Sequence, residues 1–199
     1  MRTMGGVISF EERAVARLRD RLGEAETARA DLLAFARGHS GAVASIHAAV
    51  LAALEADSFN ELIATVTGLW PRMLGVESLV LVLVVGDQAF RADRAGVHQL
   101  ARPMVDRALG PLSLVELRNV DHGHALFGIE ANRVRSEALV RIDLPAPLPY
   151  GMLMLGQHGG ETLETPHGAD LLHFLGLSLA AMIRRWTMIE PSERQATTG

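Results

Sequence analysis

Histidine is the residue type in this chain that most readily binds a transition metal, and the closest pair among the eight is His122 and His124. A transition-metal site needs three or four converging ligands, and the chain has no cysteine to supply a thiolate. The sequence has neither an HExxH pattern nor the acidic spacing of a calcium-binding EF-hand loop. We therefore interpret the pair as part of a polar, glycine-containing loop and predict no metal site.

Ser136 lies between two charged residues, Arg135 and Glu137, and its hydroxyl is a candidate nucleophile. No G-x-S-x-G elbow surrounds it, and no histidine can be assigned to it. We predict no catalytic residue and expect that the chain is not an enzyme. Arg135 and Ser136 instead fit the entry of a strand, where a guanidinium could bind a carboxylate or phosphate of a ligand. The alternative is that Arg135 and Glu137 form a solvated start of the strand.

Apolar residues and glycines in the second half of the chain could enclose a small molecule. Methionine adapts to irregular ligands, so Met152 and Met154 could line a cavity together with Phe127, although most such residues belong to an ordinary core. Gly156 and two later glycines could bind an anion, although turn glycines explain the same spacing. The cofactor is unknown, and the absence of cysteine excludes a bilin attached through a thiol. The candidate ligand-binding residues are Phe127, Arg135, Ser136, Met152, Met154, Gly156 and His158.

Helices and strands must position these residues. Ser58, followed three residues later by Glu61, forms the capping-box pattern that begins a helix, and Pro71 should kink or end that helix. Further helices are expected at residues 98–109 and 167–188. The strand at residues 138–144 should have one buried and one polar face. Apolar and alternating runs predict five strands, at residues 79–85, 88–92, 112–120, 138–144 and 150–157.

The N-terminal part of the chain has the pattern of a long helix with a heptad seam. Residues 11–37 contain one glycine and no proline, and their apolar residues recur at positions a and d, with Arg29 as a charged intruder. Gly38 and Gly41 should weaken or kink the helix, after which the register resumes through Ile46 and Ala53. We expect a homodimeric coiled coil; the alternative is that the seam packs on the chain's own C-terminal helix. The candidate dimer-interface residues are Val15, Leu18, Leu22, Ala25, Arg29, Leu32 and Ala36.

Composition limits the classes of partner. Hydrophobic residues make up 49% of the chain and charged residues 21%, as in an average globular protein. The net charge is -4 and no dense Lys/Arg cluster is present, which argues against a nucleic-acid partner. The longest apolar run, residues 79–85, is shorter than the roughly 20 residues needed to cross a bilayer. We expect no membrane contact and a cytoplasmic protein.

Several segments carry a family resemblance. The runs VRSEALVRI at residues 134–142, PYGMLMLG at residues 149–156 and GADLLHFLG at residues 168–176 resemble the closing half of a bacterial family called domain of unknown function 484. Residues 17–22 and 45–47 resemble its N-terminal helix, whereas the segment after Gly156 departs from the family. The resemblance implies an α+β fold, a GAF-like antiparallel sheet flanked by helices and preceded by a long N-terminal coiled-coil helix.

Together these observations predict a dimerisation segment at residues 8–56, a GAF-like domain at residues 57–190 and a disordered tail at residues 191–199. The first hypothesis is a sensory or regulatory module that binds an unidentified small molecule and signals through its dimeric helix to a separate effector protein. The alternative is a ligand-free structural or interaction scaffold of the same fold, in which Phe127, Met152 and Met154 fill the pocket.

Overall fold

The computed structural model describes residues 10–144, 146, 148, 150–159 and 168–193, with all their side chains except those of residues 10–20, 22, 25, 30–37, 39 and 188–193. The chain divides into two compact units, Met1–Ala42 and Val43–Gly199. None of the described helices is long and apolar enough to cross a membrane.

The first helix, α1, spans Phe10–Leu54. It is helical through Gly38 and Gly41, and the weakening or kink expected there remains a prediction. Arg29 is exposed. The other six candidate interface residues lie among the side chains that are not described, and the coiled coil therefore remains a prediction. Ile46 and Ala53, which continue the heptad register, are buried in the core of the second unit, so this part of the seam packs within the chain.

A capping box begins the next helical stretch, as the sequence predicts. The Ser58 hydroxyl accepts a hydrogen bond from the Glu61 backbone N–H at 3.1 Å, and the Glu61 carboxylate accepts one from the Asp57 backbone N–H at 2.8 Å. The first bond satisfies a donor that the first helical turn leaves without an intrahelical partner, and the second fixes the residue that precedes the N-cap. The stretch comprises α2 (Phe59–Ala64), a π-helical turn (Thr65–Leu69) and α3 (Trp70–Leu74).

The irregularity expected near Pro71 is formed by the π-helical turn. Pro71 itself lies in the first turn of α3, which follows the π-helical turn directly. Gly75 then ends the helix with φ 67°, a left-handed conformation that favours glycine. The sequence therefore predicts both the irregularity near Pro71 and the stop at Gly75.

Six strands form one antiparallel sheet in which the order is β3-β2-β1-β6-β5-β4. All five predicted strands are present, and the sheet has one more. The central pair, β1 and β6, is buried along nearly its whole length. The strands are β1 (Ser78–Val85), β2 (Gln88–Asp93), β3 (Gly96–Leu100), β4 (Val115–Asn119), β5 (Ser136–Asp143) and β6 (Tyr150–Gln157).

The additional strand, β3, occupies part of the interval predicted as a helix at residues 98–109. That prediction is wrong for its first residues, because His98 pairs with Arg91 across a hairpin with β2. The helix α4 spans only Arg102–Leu109. Pro103 lies in the first turn of α4, where proline is favoured.

The sheet is covered on both faces. The helical face, with Leu81, Val140 and Leu153 in its core, packs against the end of α1, α2 and the last helix, α5 (Gly168–Glu193). The loop face, with Val82 and Leu139 in its core, packs against α4 and a 3-10 segment (Ala125–Glu130).

The strand β5 contributes to both cores, because Val140 lies on one face and Leu139 on the other. The prediction of a polar face for this strand is therefore wrong except near its end, where Arg141 is half-buried and Asp143 exposed.

Close packing of α5 on β5 depends on Gly176, since a Cβ there would lie 2.6 Å from Cγ1 of Val140. The helix continues past Pro191 to Glu193, so the first residues of the predicted tail are helical. Residues 194–199 lie outside the described part of the chain.

Candidate functional site

Four of the candidate ligand-binding residues lie together on the loop face, where they form part of a packed core. They are Phe127, Met152, Met154 and Gly156. Phe127, Met152 and Met154 are each at most 2% exposed and belong to one apolar cluster. A Cβ on Gly156 would lie 2.9 Å from the Val134 side chain and 3.2 Å from the Phe127 ring. The space that a ligand would need between these residues is occupied by their own side chains.

A histidine cap holds the 3-10 segment that carries Phe127. The Nδ1 atom of His124 accepts a hydrogen bond from the Leu126 backbone N–H at 3.1 Å. Burial lowers the pKa of His124, because removal from water disfavours the charged imidazolium. Gly128 has φ 63° and ψ -127° and leaves room for the Arg91 guanidinium. The segment therefore depends on a neutral imidazole and on a glycine.

Glu137 is fully buried, which rules out the solvated strand start considered for it. Its carboxylate accepts a hydrogen bond from the Arg118 guanidinium at 2.6 Å and another from the His124 backbone N–H at 2.7 Å. A buried carboxylate requires such partners, since an isolated buried charge is strongly unfavourable. Glu137 thus ties β4, β5 and the loop before Phe127 together.

Arg135 is exposed and bonds to its own loop. Its guanidinium donates to the backbone carbonyls of Asp121, Asn132 and Val134 at distances of 2.9 to 3.0 Å. Ser136 is 2% exposed at the start of β5. Arg135 therefore closes the loop between β4 and β5.

His158 follows the end of β6. Its Nε2 lies 2.7 Å from the Ser78 hydroxyl and 3.6 Å from the Glu130 carboxylate. These contacts link both central strands to the 3-10 segment.

A cleft opens on the helical face, at the end of the sheet formed by β1, β2 and β3. Its volume is about 760 Å³. None of the seven candidate ligand-binding residues lines it. Most of its lining is apolar, contributed by α2, the π-helical turn, the three strands and α5. The larger apolar side chains are Phe59, Ile63, Leu81, Leu83, Phe90 and Trp186.

Two charged residues, Asp93 and Arg94, line the cleft at the turn between β2 and β3. Asp93 lies 2.9 Å from the Arg91 guanidinium and 3.5 Å from His98, and it accepts the Ala95 backbone N–H at 2.8 Å. Arg94 is exposed and forms no ion pair within the described residues. An apolar cleft with one uncompensated cation at its rim suits a molecule that has an apolar body and an anionic group.

A separate polar group lies beside the loop face, at the start of β6. The Tyr150 hydroxyl donates to Asp106 and thereby holds the pKa of that carboxyl below its usual value. Arg102 donates to the same hydroxyl at 2.7 Å and to the Gly86 carbonyl. This group fastens α4 to the sheet, and the pocket beside it has a volume of only about 210 Å³.

Metal ligands are also sparse in the described part of the chain, where no three His, Asp or Glu residues are grouped so that they could hold a metal ion.

A family model described as "Protein of unknown function, DUF484" matches residues 1–188. The chain belongs to this family. No curated protein matches it. The family resemblance expected from the sequence is thereby confirmed, and it brings no assigned activity.

Solved structures with a similar fold include GAF domains. The "nlh2" GAF domain from A. aeolicus, in an inactive state, has a TM-score of 0.57 at 9% identity, covering 74% of this DUF484 chain and 98% of the other. The phycocyanobilin-bound GAF domain of a cyanobacterial phytochrome has a TM-score of 0.54 at 12% identity, with coverage of 73% and 94%. These similarities confirm the GAF-like α+β fold.

A third similar structure is the free methionine-R-sulfoxide reductase of Neisseria meningitidis in complex with its substrate. Its TM-score is 0.53 at 13% identity, and the match covers 72% of this DUF484 chain and 88% of the reductase. One fold therefore serves proteins with different activities, and function must be argued from the site itself.

Sequence reasoning missed the cleft because its lining comes from six separate elements. The available signals were two aromatic residues far apart in the sequence, Phe59 and Trp186, and the partly polar turn with Arg94. Each one separately is typical of an ordinary core or an ordinary turn. Only their assembly at one end of the sheet distinguishes them.

Proposed function

We propose that this protein is a non-catalytic regulatory module of the GAF fold that binds a small apolar molecule with an anionic group in the cleft on the helical face. The state of the cleft is passed through a homodimeric N-terminal helix to a separate effector protein. The observation that carries the proposal is the cleft itself.

The size and the lining of the cleft support a small-molecule ligand. Its volume of about 760 Å³ falls within the range of roughly 300 to 1,000 Å³ that is typical of small-molecule pockets. Such pockets are mainly apolar and contain a few polar groups that orient the ligand. Here the polar side chains in the lining are those of Asn60, Thr67, Asp93, Arg94 and Thr187.

Arg94 is the residue that we assign to the anionic group. Asp93 is already engaged by Arg91 and His98, whereas Arg94 has no ion-pair partner in the described part of the chain. A guanidinium can donate two parallel hydrogen bonds to a carboxylate or a sulfonate. The solved GAF domain of the cyanobacterial phytochrome holds phycocyanobilin, which supports the capacity of this fold for an organic ligand.

The engagement of the titratable residues supports a non-catalytic role. Glu137 is held by Arg118, Asp106 by Tyr150, and His158 lies against Ser78. None of these groups lines the cleft. Thiol chemistry would also require a cysteine, which this sequence lacks.

A fluorescent anion tests the proposal. The probe is 8-anilino-1-naphthalenesulfonate, which has an aromatic body and a sulfonate and becomes fluorescent in apolar surroundings. We expect saturable binding to the folded protein. Ala64→Trp should weaken it at least about tenfold, which corresponds to about 1.4 kcal/mol, because an indole at this cleft-lining position fills the space.

Two further variants sharpen this test. Ala125→Trp is the matched control, because Ala125 is exposed on the 3-10 segment and does not line the cleft. Arg94→Gln should weaken probe binding about two- to fivefold, as expected for an exposed ion pair. Non-saturable binding, or equal affinity in Ala64→Trp and Ala125→Trp, would count against the cleft as the ligand site.

The second candidate function is a ligand-free interaction scaffold, and the filled loop face favours it. Phe127, Met152 and Met154 leave no ligand space there. Native mass spectrometry of the protein from its own host separates the two functions. A discrete extra mass that is lost in Ala64→Trp supports the regulatory module, whereas a bare chain with no probe binding supports the scaffold.

A further inference from the structure

Two helices carry long stretches without any charged residue where they cover the sheet. Residues 43–54 of α1 and residues 171–183 of α5 contain no Asp, Glu, Lys or Arg. A surface helix normally places charged residues on its outer side, and a helix that is apolar all round is normally buried. The outer sides of these two helices therefore have the composition of a covered surface.

The inner sides of both helices are used by the domain core. Ile46 and Ala49 of α1 and Leu175 and Leu179 of α5 are at most 5% exposed. These residues account for the apolar stripe that packs on the sheet, and they leave the outer apolar residues unexplained.

The outer sides expose large apolar side chains. Leu51 is 61% exposed and Leu54 50% on α1, and Leu177 is 58% exposed and Phe174 44% on α5. The His47 and Phe174 rings lie 6.2 Å apart, so the two outer stripes adjoin in one patch, which we call the α1–α5 surface. Contiguous apolar patches of this kind mark interaction sites.

The residue spacing on α5 indicates what kind of helix packs there. Five outward residues follow intervals of four, three, four and three: Asp170, Phe174, Leu177, Ala181 and Arg184. This alternation is the a and d spacing of a helix that packs lengthwise on another helix. The stripe is apolar in the middle, acidic at its first position and basic at its last.

We propose that the α1–α5 surface binds a second copy of this chain, with the two α5 helices antiparallel. Asp170 and Arg184 are exposed and form no ion pair with any described residue. In an antiparallel arrangement Asp170 lies near the partner's Arg184, and the converse pair forms at the other end. A two-fold dimer requires such a self-complementary patch, because both subunits present the same surface.

The charges favour this occupant over the alternatives. A parallel arrangement would place like charges together at both ends of the stripe, which is unfavourable. Because one acidic and one basic residue end the same stripe, the surface is complementary to itself, as a second copy of this chain requires. The inference extends the proposed homodimer to a surface separate from the N-terminal heptad seam, and it does not depend on pairing of that seam.

Cross-linking tests the contact directly, because the chain has no cysteine of its own. Leu177→Cys places a thiol at the middle of the stripe, and Ala125→Cys places an exposed thiol on the 3-10 segment as the matched control. Under mild oxidation of the full chain, we expect a disulfide-linked dimer for Leu177→Cys and at least tenfold less for Ala125→Cys. Equal cross-linking of the two variants would overturn the proposal.

Equilibrium sedimentation then separates the two surfaces. In a background of Leu18→Glu and Leu22→Glu, which disrupts the heptad seam, we expect the dimer to persist and the further change Leu177→Glu to convert it to a monomer. A monomer already in the background, without Leu177→Cys cross-linking, would overturn this inference. The sedimentation result does not depend on whether the fluorescent probe binds the cleft. Failure of the ligand proposal and failure of this inference are therefore distinguishable.

Charge reversal tests the antiparallel arrangement. Asp170→Arg alone should weaken association about two- to fivefold, and the double change Asp170→Arg with Arg184→Asp should restore it. In a parallel dimer neither change would alter the affinity, because every facing pair would remain like-charged. Circular dichroism of each variant establishes that it folds, as expected for substitutions at exposed positions.

Discussion

On the loop face of the sheet, Phe127, Met152 and Met154 fill the space beneath their covering segments, whereas the helical face keeps a cleft of about 760 Å³ over β1, β2 and β3. Both faces are lined by the same kinds of apolar residues. The difference lies in the coverage, because α5 packs on β4 and β5, and the short α2 and its π-helical turn stand over β1. Apolar composition therefore reports that a face is covered, and the covering elements decide whether space remains.

The largest expected difference between the faces concerns two phenylalanines. Phe127→Ala removes a fully buried ring and should lower the free energy of unfolding by about 3–5 kcal/mol. Phe90→Ala, on the cleft, should cost less than half as much, because Phe90 is half-buried and lines open space. Urea denaturation of both variants measures the difference. Equal losses would show that the cleft is closed in solution.

A smaller effect is expected from a methyl group added to each face. Gly156→Ala should lower the free energy of unfolding by about 1–3 kcal/mol, because its Cβ would lie 2.9 Å from the Val134 side chain. Gly68→Ala lines the cleft, and its Cβ would meet nothing within 4 Å. This control should be neutral or stabilising by up to about 1 kcal/mol, since alanine favours a helical backbone. Thermal unfolding compares the pair, and a loss in Gly68→Ala would contradict the open cleft.

The smallest expected effect is a pH dependence that arises from the loop face alone. The folded pKa of His124 is lowered from the ordinary value of 6.5 by burial, so just below that pH the unfolded chain binds a proton that the folded chain does not. Stability should therefore rise with pH in that window and fall as the pH drops below about 6.5. His124→Asn keeps a cap acceptor and does not titrate, so it should flatten this part of the curve of melting temperature against pH. An unchanged curve in that variant would assign the dependence to another group.

Local patterns predicted much of the fold. The capping box at Ser58 and Glu61, the stop at Gly75 and five of six strands follow from short-range hydrogen bonding and hydrophobic periodicity, which neighbouring residues determine. The strand around His98 was missed because a short, exposed edge strand has almost no apolar alternation. It is formed by its hairpin with β2.

The surroundings of the candidate site residues, in contrast, were not predictable from local patterns. Arg135 was expected at a ligand, and its guanidinium instead closes a loop through three backbone carbonyls. Glu137 was considered solvated and is fully buried beside Arg118. A charged residue at a strand entry has the same local sequence in either case, and only the elements packed around it decide which partner it meets.

The sequence by itself determined the family, the α+β class, five of the six strands and the uncharged stretches at residues 43–54 and 171–183, because these depend on residue type and on spacing within one element. Only the tertiary structure decided that Phe127 closes one face, that a cleft beside Arg94 remains on the other, and that Phe174 and Leu177 stay exposed next to His47. The physical reason is that burial is a property of pairs of elements: the same apolar side chain is core, cleft or interface according to what lies opposite it.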